Sequence, residues 1–105
     1  MNMDLRSLCY DDFVTLGTSG TAEDVDTLMC VLAGDVDLKM IKLVDYALGL
    51  VDTWQGSRRI RYYLFHGNPQ QRNYAALYFK RNGYTELLED AVAEGKIDFE
   101  QAYSK

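Results

Sequence analysis

Six cations and eight aromatic rings share one stretch of this chain that carries no carboxylate. Between Thr53 and Thr85 stand Arg58, Arg59, Arg61, Arg72, Lys80 and Arg81, without a single Asp or Glu. The same stretch holds Trp54, Tyr62, Tyr63, Phe65, Tyr74, Tyr78, Phe79 and Tyr84, which is 8 of the 13 aromatic residues. It carries +6, residues 1–52 carry −7, and residues 86–105 carry −4, giving the net charge of −5. Segregation of this kind creates a local positive field that the net charge conceals. Guanidinium groups interleaved with aromatic faces suit a phosphate backbone or an acidic peptide. Helical spacing puts Arg58, Arg61, Tyr62 and Phe65 on one side, away from Ile60 and Leu64. Arg72 and Arg81 lie near the two ends of the next helical pattern, with Tyr74 and Tyr78 as a stripe four residues apart. Two readings stay open. Either the strip receives a partner, or its arginines balance the protein's own acids, such as Glu86, Glu89 and Asp90. Tyr74 and Tyr78 likewise either close the edge of the core or anchor a groove.

The other chemistry-bearing residues form no recognisable constellation. His66 is the only histidine. It precedes Gly67 at a helix end, where a donor to the last carbonyls is favoured, so a capping role is expected. Cys9 and Cys30 sit in apolar patterns, Leu8-Cys9 and Met29-Cys30-Val31, and are expected to be buried structural thiols. Asp11-Asp12 and Glu89-Asp90 are adjacent pairs whose members diverge on a helix, so neither makes a carboxylate dyad. Asp35, Asp37 and Asp45 lack the Gly and Glu positions of a calcium loop. One histidine and two separated cysteines do not spell a zinc site, and no phosphate loop or nucleophile elbow is present. No cofactor or metal is expected, and the expectation is a protein that is not an enzyme.

These residues must be positioned by helices. Val25, Leu28, Met29, Leu32 and Ala33 form one helical stripe. Leu5, Leu8, Cys9, Phe13 and Leu16 mark an earlier one. Met40, Ile41, Leu43, Val44, Ala47, Leu48 and Val51 cover a wider arc, which predicts the most buried helix. Ile60, Tyr63 and Leu64 mark a short helix, and Leu87, Leu88, Ala91 and Val92 another. Gly17 and Gly20 are expected to flank a turn, with Thr21 capping the next helix. Asn68-Pro69-Gln70-Gln71 is the clearest start signal: an N-cap, a proline at the first helical position, and a glutamine able to reach back. Gly83 and Gly95 fit left-handed C-terminal positions. Asp98, with Gln101 three residues on, opens a last short helix. No period-2 stretch bounded by turn residues appears.

Two helix–Gly–polar–helix junctions recur 33 residues apart, Leu32-Ala33-Gly34-Asp35-Val36-Asp37 and Phe65-His66-Gly67-Asn68-Pro69-Gln70. Each precedes a long apolar helix and then a shorter one, at a period typical of helical repeats. The segment LFHGNPQQRNYAALYFKRNGYTELLEDAVAEG, with Arg72, Ala75, Phe79, the Gly83 break, Leu87, Leu88 and Ala91, resembles a repeat of the HEAT/armadillo-like superfamily. The resemblance covers roughly residues 32–95. It implies that Arg72 reaches Asn68 in the turn, with Asp35 as the equivalent acid one repeat earlier. The earlier unit departs from the pattern: Lys39 stands where Arg72 would align, and Trp54-Gln55-Gly56 lengthens the inner loop.

The chain has 105 residues, 48% hydrophobic and 26% charged, the composition of a globular protein of one domain spanning residues 1–105. The expected fold is all-α: about six antiparallel helices stacked as a short HEAT-like superhelix, with a compact helical bundle as the alternative. A short stack leaves end faces to cover. Leu5, Leu8 and Phe13 are expected at one end, and Phe99 and Tyr103 at the other or against a second copy. The start, MNMDLRSLCYDDF, has no apolar signal region, and no run approaches the ~20 residues of a membrane span, so no membrane partner and a cytoplasmic location are expected. The function expected is an interaction module that binds a protein or acidic peptide through Arg58, Arg61, Tyr62, Phe65, Arg72, Tyr74, Tyr78 and Arg81. Nucleic acid on the same strip is the alternative, a small enzyme ranks behind it, and a homodimer remains open. The cap signal is directly testable. Asn68→Ala should cost about 1 kcal/mol and lower the melting temperature by several degrees. An unchanged denaturation midpoint would refute the helix start at Pro69.

Overall fold

The computed structural model describes residues 8–103. They form α1 (Tyr10–Ser19), α2 (Ala22–Ala33), α3 (Leu38–Gly49), α4 (Trp54–His66), α5 (Pro69–Arg81), α6 (Thr85–Ala93) and α7 (Phe99–Tyr103). No strand occurs among the described residues, so the fold is all-α. No helix among them is long and apolar enough to cross a membrane. The chain divides into two compact units, Met1–Ser57 and Arg58–Lys105, with the division inside α4.

In the first unit α1, α2 and α3 pack against one another. Phe13 and Leu16 of α1, Val25, Leu28, Met29, Val31 and Leu32 of α2, and Val44, Ala47 and Leu48 of α3 are buried. The expectation that α3 is the most buried helix is corrected in favour of α2. α3 spreads its apolar residues over too wide an arc for one face, so Met40, Ile41 and Leu43 stay half-buried and Leu38 is 63% exposed. α1 begins later than its apolar stripe suggests. Leu8 precedes the helix, Cys9 is its N-cap, and Leu5 lies outside the described residues. The Cys9 amide donates to Asp12 Oδ2 at 2.9 Å. That hydrogen bond stabilises the charged carboxylate and holds the Asp12 carboxyl below its usual range. Asp11 and Asp12 also face the positive end of the helix dipole.

Gly17 is not a turn residue. It is buried inside α1, and a Cβ there would run into the Ala47 carbonyl oxygen of α3, with the carbonyl carbon 2.9 Å away. The missing side chain is what lets the two helices approach. Gly20 supplies the left-handed C-cap at φ +62°, and Thr21 Oγ1 accepts from the Asp24 amide at 3.1 Å to start α2, as expected. Asp37 caps α3, accepting from the Met40 amide at 2.9 Å.

α4 starts earlier than expected, and Trp54-Gln55-Gly56 form its first turn instead of a loop. Thr53 is the reason. Its Oγ1 accepts from the Gly56 amide at 3.0 Å and donates to the Gly20 carbonyl at 2.5 Å. A Cβ on Gly56 would sit 2.6 Å from that carbonyl oxygen and 2.5 Å from Val51 Cγ1, so this first turn needs a glycine.

In the second unit α5, α6 and α7 pack together around Ala75, Ala76, Tyr78, Phe79, Leu88, Ala91 and Ala102. The capping box at Asn68 is present. Asn68 Oδ1 accepts from the Gln71 amide at 2.8 Å, and Gln71 Oε1 accepts from the Asn68 amide at 2.9 Å. Gly83 closes α5 at φ +76°. The Tyr84 amide reaches the Phe79 carbonyl at 3.0 Å and the Gly83 amide reaches that of Lys80 at 3.2 Å, with the Phe79 and Tyr84 rings 5.2 Å apart edge to face. This is the Schellman arrangement with its apolar contact. Gly95 closes α6 the same way, through Lys96 to Ala91 and Gly95 to Val92, each at 2.9 Å. Asp98 and Gln101 form the second capping box, and Gln101 Nε2 also donates to Asn73 Oδ1 at 3.0 Å, tying α7 to α5. Phe99 and Tyr103, expected to cover an end of the fold or to meet a second copy, are 71% and 41% exposed, ring against ring at 4.5 Å. Both rings remain exposed.

The close approach at Gly17 makes a paired prediction. Gly17→Ala should destabilise by about 1–3 kcal/mol, because overpacking against backbone outweighs the helix propensity gained. Gly49→Ala, where a Cβ meets nothing within 4 Å, should stabilise by up to about 1 kcal/mol. Chemical denaturation of both variants checks the pair. Equal signs would refute the contact.

Candidate interaction surface

The candidate surface is built on α4. Ile60 and Leu64 are fully buried, and they set the rotation of the helix. At about 100° per residue, Arg58, Arg61 and Tyr62 then point outward, and all three are exposed. Phe65, on the same side, is half-buried. No side-chain hydrogen bond or ion pair ties Arg58 or Arg61 to another described residue.

Tyr62 organises the neighbourhood. The Arg59 guanidinium carbon lies 4.4 Å from the Tyr62 ring centre and 5.6 Å from that of Tyr63. Tyr63 meets Tyr62 edge-on at 5.3 Å, and the His66 ring lies against Tyr62 at 5.0 Å. Each cation–π contact of this exposed type contributes about 0.5–1 kcal/mol. They hold the Tyr62 ring in place, 46% exposed. Arg59 is absent from the expected site. Its signal is the three- and four-residue spacing to Tyr62 and Tyr63, which places cation and ring on one helix flank. His66 is exposed at the last position of α4 and rests on Tyr62, with no side-chain hydrogen bond to the last carbonyls. Its expected capping role is corrected accordingly.

The α5 members of the expected site fare differently. Tyr78 is 6% exposed, with the Phe79 ring edge-on at 5.0 Å. It belongs to the core and presents no anchor. Tyr74 is half-buried. Arg72 is half-buried too, and its Nη1 donates to the Gly67 carbonyl at 3.2 Å while its Nε is buried without a partner. The side chain pins the turn, but through Gly67. The Asn68 side chain accepts from the Gln71 amide in its capping box, and the implied side-chain contact between Arg72 and Asn68 is absent. Arg81 is exposed in the last turn of α5 beside Lys80, where cations complement the negative end of the dipole.

The acids offered as internal counter-charges are also exposed. Glu86, Glu89 and Asp90 of α6 make no side-chain hydrogen bond or ion pair with the described residues. The reading in which they balance Arg58 and Arg61 therefore lacks its contacts.

In the first unit, Cys9 and Cys30 are both free and exposed, which corrects their expected burial. Cys9 stands outside the helical stripe as an N-cap. Cys30 faces away from Leu28 and Leu32, two residues or about 200° around α2. An open groove of about 1300 Å³ is lined by Leu8, Cys30, Val31, Val36, Met40 and Leu43 among others. The half-buried Met40 and Leu43 of α3 form part of its wall. Tyr10 and Tyr46 stack at 5.7 Å, and the Tyr10 hydroxyl donates to that of Tyr46 at 3.3 Å, which raises the Tyr10 phenol above its ordinary value. Among the described residues no three His, Cys, Asp or Glu side chains come together in a metal-binding arrangement.

No protein-family model, curated protein or solved structure matches this chain.

The two tyrosines separate surface from core. Tyr78→Ala should cost about 3 kcal/mol or more, the scale of a buried aromatic truncation. Tyr62→Ala should cost no more than about 1 kcal/mol, the loss of an exposed cation–π contact. Urea denaturation midpoints of the two variants measure the difference. Equal losses would mean that Tyr62 is a core residue.

Proposed function

We propose that this protein is an interaction module, with no catalytic role, that binds an acidic segment of a protein partner through the α4 surface. The observation that carries this reading is the pair Arg58 and Arg61, exposed beside an exposed Tyr62 and unpaired among the described residues. Arginine offers two parallel N–H groups to a carboxylate. Tyrosine adds contact area with little rotamer entropy to lose, and both types are enriched where interfaces concentrate their energy. The acidity of residues 1–52 and 86–105 disfavours an acidic partner elsewhere and steers it toward the strip. The HEAT-like resemblance of roughly residues 32–95 belongs to the same reading, since helical repeats commonly present such binding faces.

A protein partner is favoured over nucleic acid by the make-up of the face. Two unpaired arginines neutralise few phosphates, whereas Tyr62 and Phe65 supply apolar area. A nucleic-acid complex would show log affinity falling by roughly 0.9 per neutralised phosphate per decade of salt. The test is Arg58→Glu with Arg61→Glu. Exposed ion pairs contribute only about 0–1 kcal/mol, so the variant should melt close to the wild type. Protein recovered from nuclease-treated host lysate should fall 10-fold or more. A variant that melts normally and still recovers the same protein overturns the proposal, and binding lost on nuclease treatment of the wild-type experiment assigns the strip to nucleic acid.

A further inference from the structure

The second unit displays two helix faces of opposite sign and matching pitch. On α4, Arg58, Arg61, Tyr62 and Phe65 occupy positions i, i+3, i+4 and i+7, opposite the buried Ile60 and Leu64. On α6, Glu86, Glu89 and Asp90 occupy positions i, i+3 and i+4, opposite the buried Leu88 and Ala91. All three acids and both arginines are exposed, and none of these side chains is hydrogen-bonded or ion-paired with a described residue. Because Arg58 and Arg61 are one turn apart, as are Glu86 and Glu89, two such helices laid side by side bring both charge pairs into register.

We propose that the occupant of the α4 strip is a second copy of this chain, which docks its α6 acidic face there. This rests on the reading of α4 as a partner surface and names the partner. Charge complementarity is the first argument. The second is α7, which packs on α6 and carries the exposed ring pair Phe99 and Tyr103. Ion pairs at a rim steer and orient an encounter more than they hold it, and these rings supply apolar area that charge alone does not. The contact joins unlike surfaces, α4 of one copy to α6 of the other. It closes in a two-fold dimer if each copy gives and receives, and propagates if it does not.

The pairing of unlike faces allows a charge-swap test by sedimentation equilibrium. Wild-type protein at 0.1 M salt should have a mass above the monomer. At 1 M salt, where the Debye length falls from about 10 Å to about 3 Å, the association constant should drop 10-fold or more. One variant carries Arg58→Glu and Arg61→Glu, so both its faces are acidic. The other carries Glu86→Arg and Glu89→Arg, so both are basic. Each alone should be monomeric. An equimolar mixture should associate again, because every α4 then meets an α6 of opposite sign. Circular dichroism verifies folding, and Arg58→Gln with Arg61→Gln serves in place of a reversal that fails to fold; it should weaken the association without abolishing it. A wild type that stays monomeric at 0.1 M salt overturns self-association, as does a mixture of folded variants that remains monomeric. In either case the lysate experiment still decides whether α4 receives a different protein, so the two readings fail separately.

Discussion

The hydroxyl of Thr53 sets where α4 begins. It accepts from the Gly56 amide and donates to the Gly20 carbonyl, so one side chain satisfies an orphan donor of a helix start and an orphan acceptor of a helix end. Both flanking glycines are required by the crowding, since a Cβ on Gly20 would meet the Thr53 side chain and one on Gly56 would meet the Gly20 carbonyl. With its start held there, the rotation of α4 is set by Ile60 and Leu64, which bury completely. Every α4 residue of the candidate surface inherits its direction from those two facts.

What stays outside does so for an energetic reason. A guanidinium is costly to bury without polar partners, and the stretch from Thr53 to Thr85 contains no carboxylate of its own. Arg58 and Arg61 stay at the surface, Arg59 lies over the Tyr62 and Tyr63 rings, and Arg72 donates to a backbone carbonyl. The aromatic residues of the same stretch divide by helix phase. Tyr78 and Phe79 fall on the inward side of α5, and Tyr62 on the outward side of α4. A block that reads as one basic, aromatic strip is thus two populations, and α4 is where an exposed ring stands beside unpaired charge.

The helix termini are legible because their signals are local. An Asn, a Pro and a Gln within four residues satisfy the first amides of α5 whatever packs above them, and a left-handed Gly closes α5 and α6 by bonds within the same turn. Thr21 and Asp98 work the same way. The face of α4 is legible too, since a single fully apolar line, Ile60 and Leu64, leaves one orientation. Local chemistry of this kind depends on residues no more than a turn or two apart, and the amino-acid order states it outright.

The expectations that need correction mostly involve partners distant in sequence. Gly17 reads as a turn residue until α3 comes close enough to exclude a Cβ at that point. Trp54-Gln55-Gly56 read as a loop until a hydroxyl bonded across 33 residues makes them helical. Cys9 and Cys30 sit among apolar neighbours, but burial is a property of direction, and their directions lead outward. Arg72 donates to the Gly67 carbonyl and not to Asn68, whose side chain serves the capping box. The amino-acid order by itself determined that the chain is helical, where most helices end, and which stretch holds unbalanced positive charge, because these depend on propensity, capping and composition. Only the tertiary structure decided which apolar residues meet, which glycines are contact points, and which of the basic and aromatic side chains remain open to a partner, because those depend on the packing of helices whose contacts no local pattern encodes.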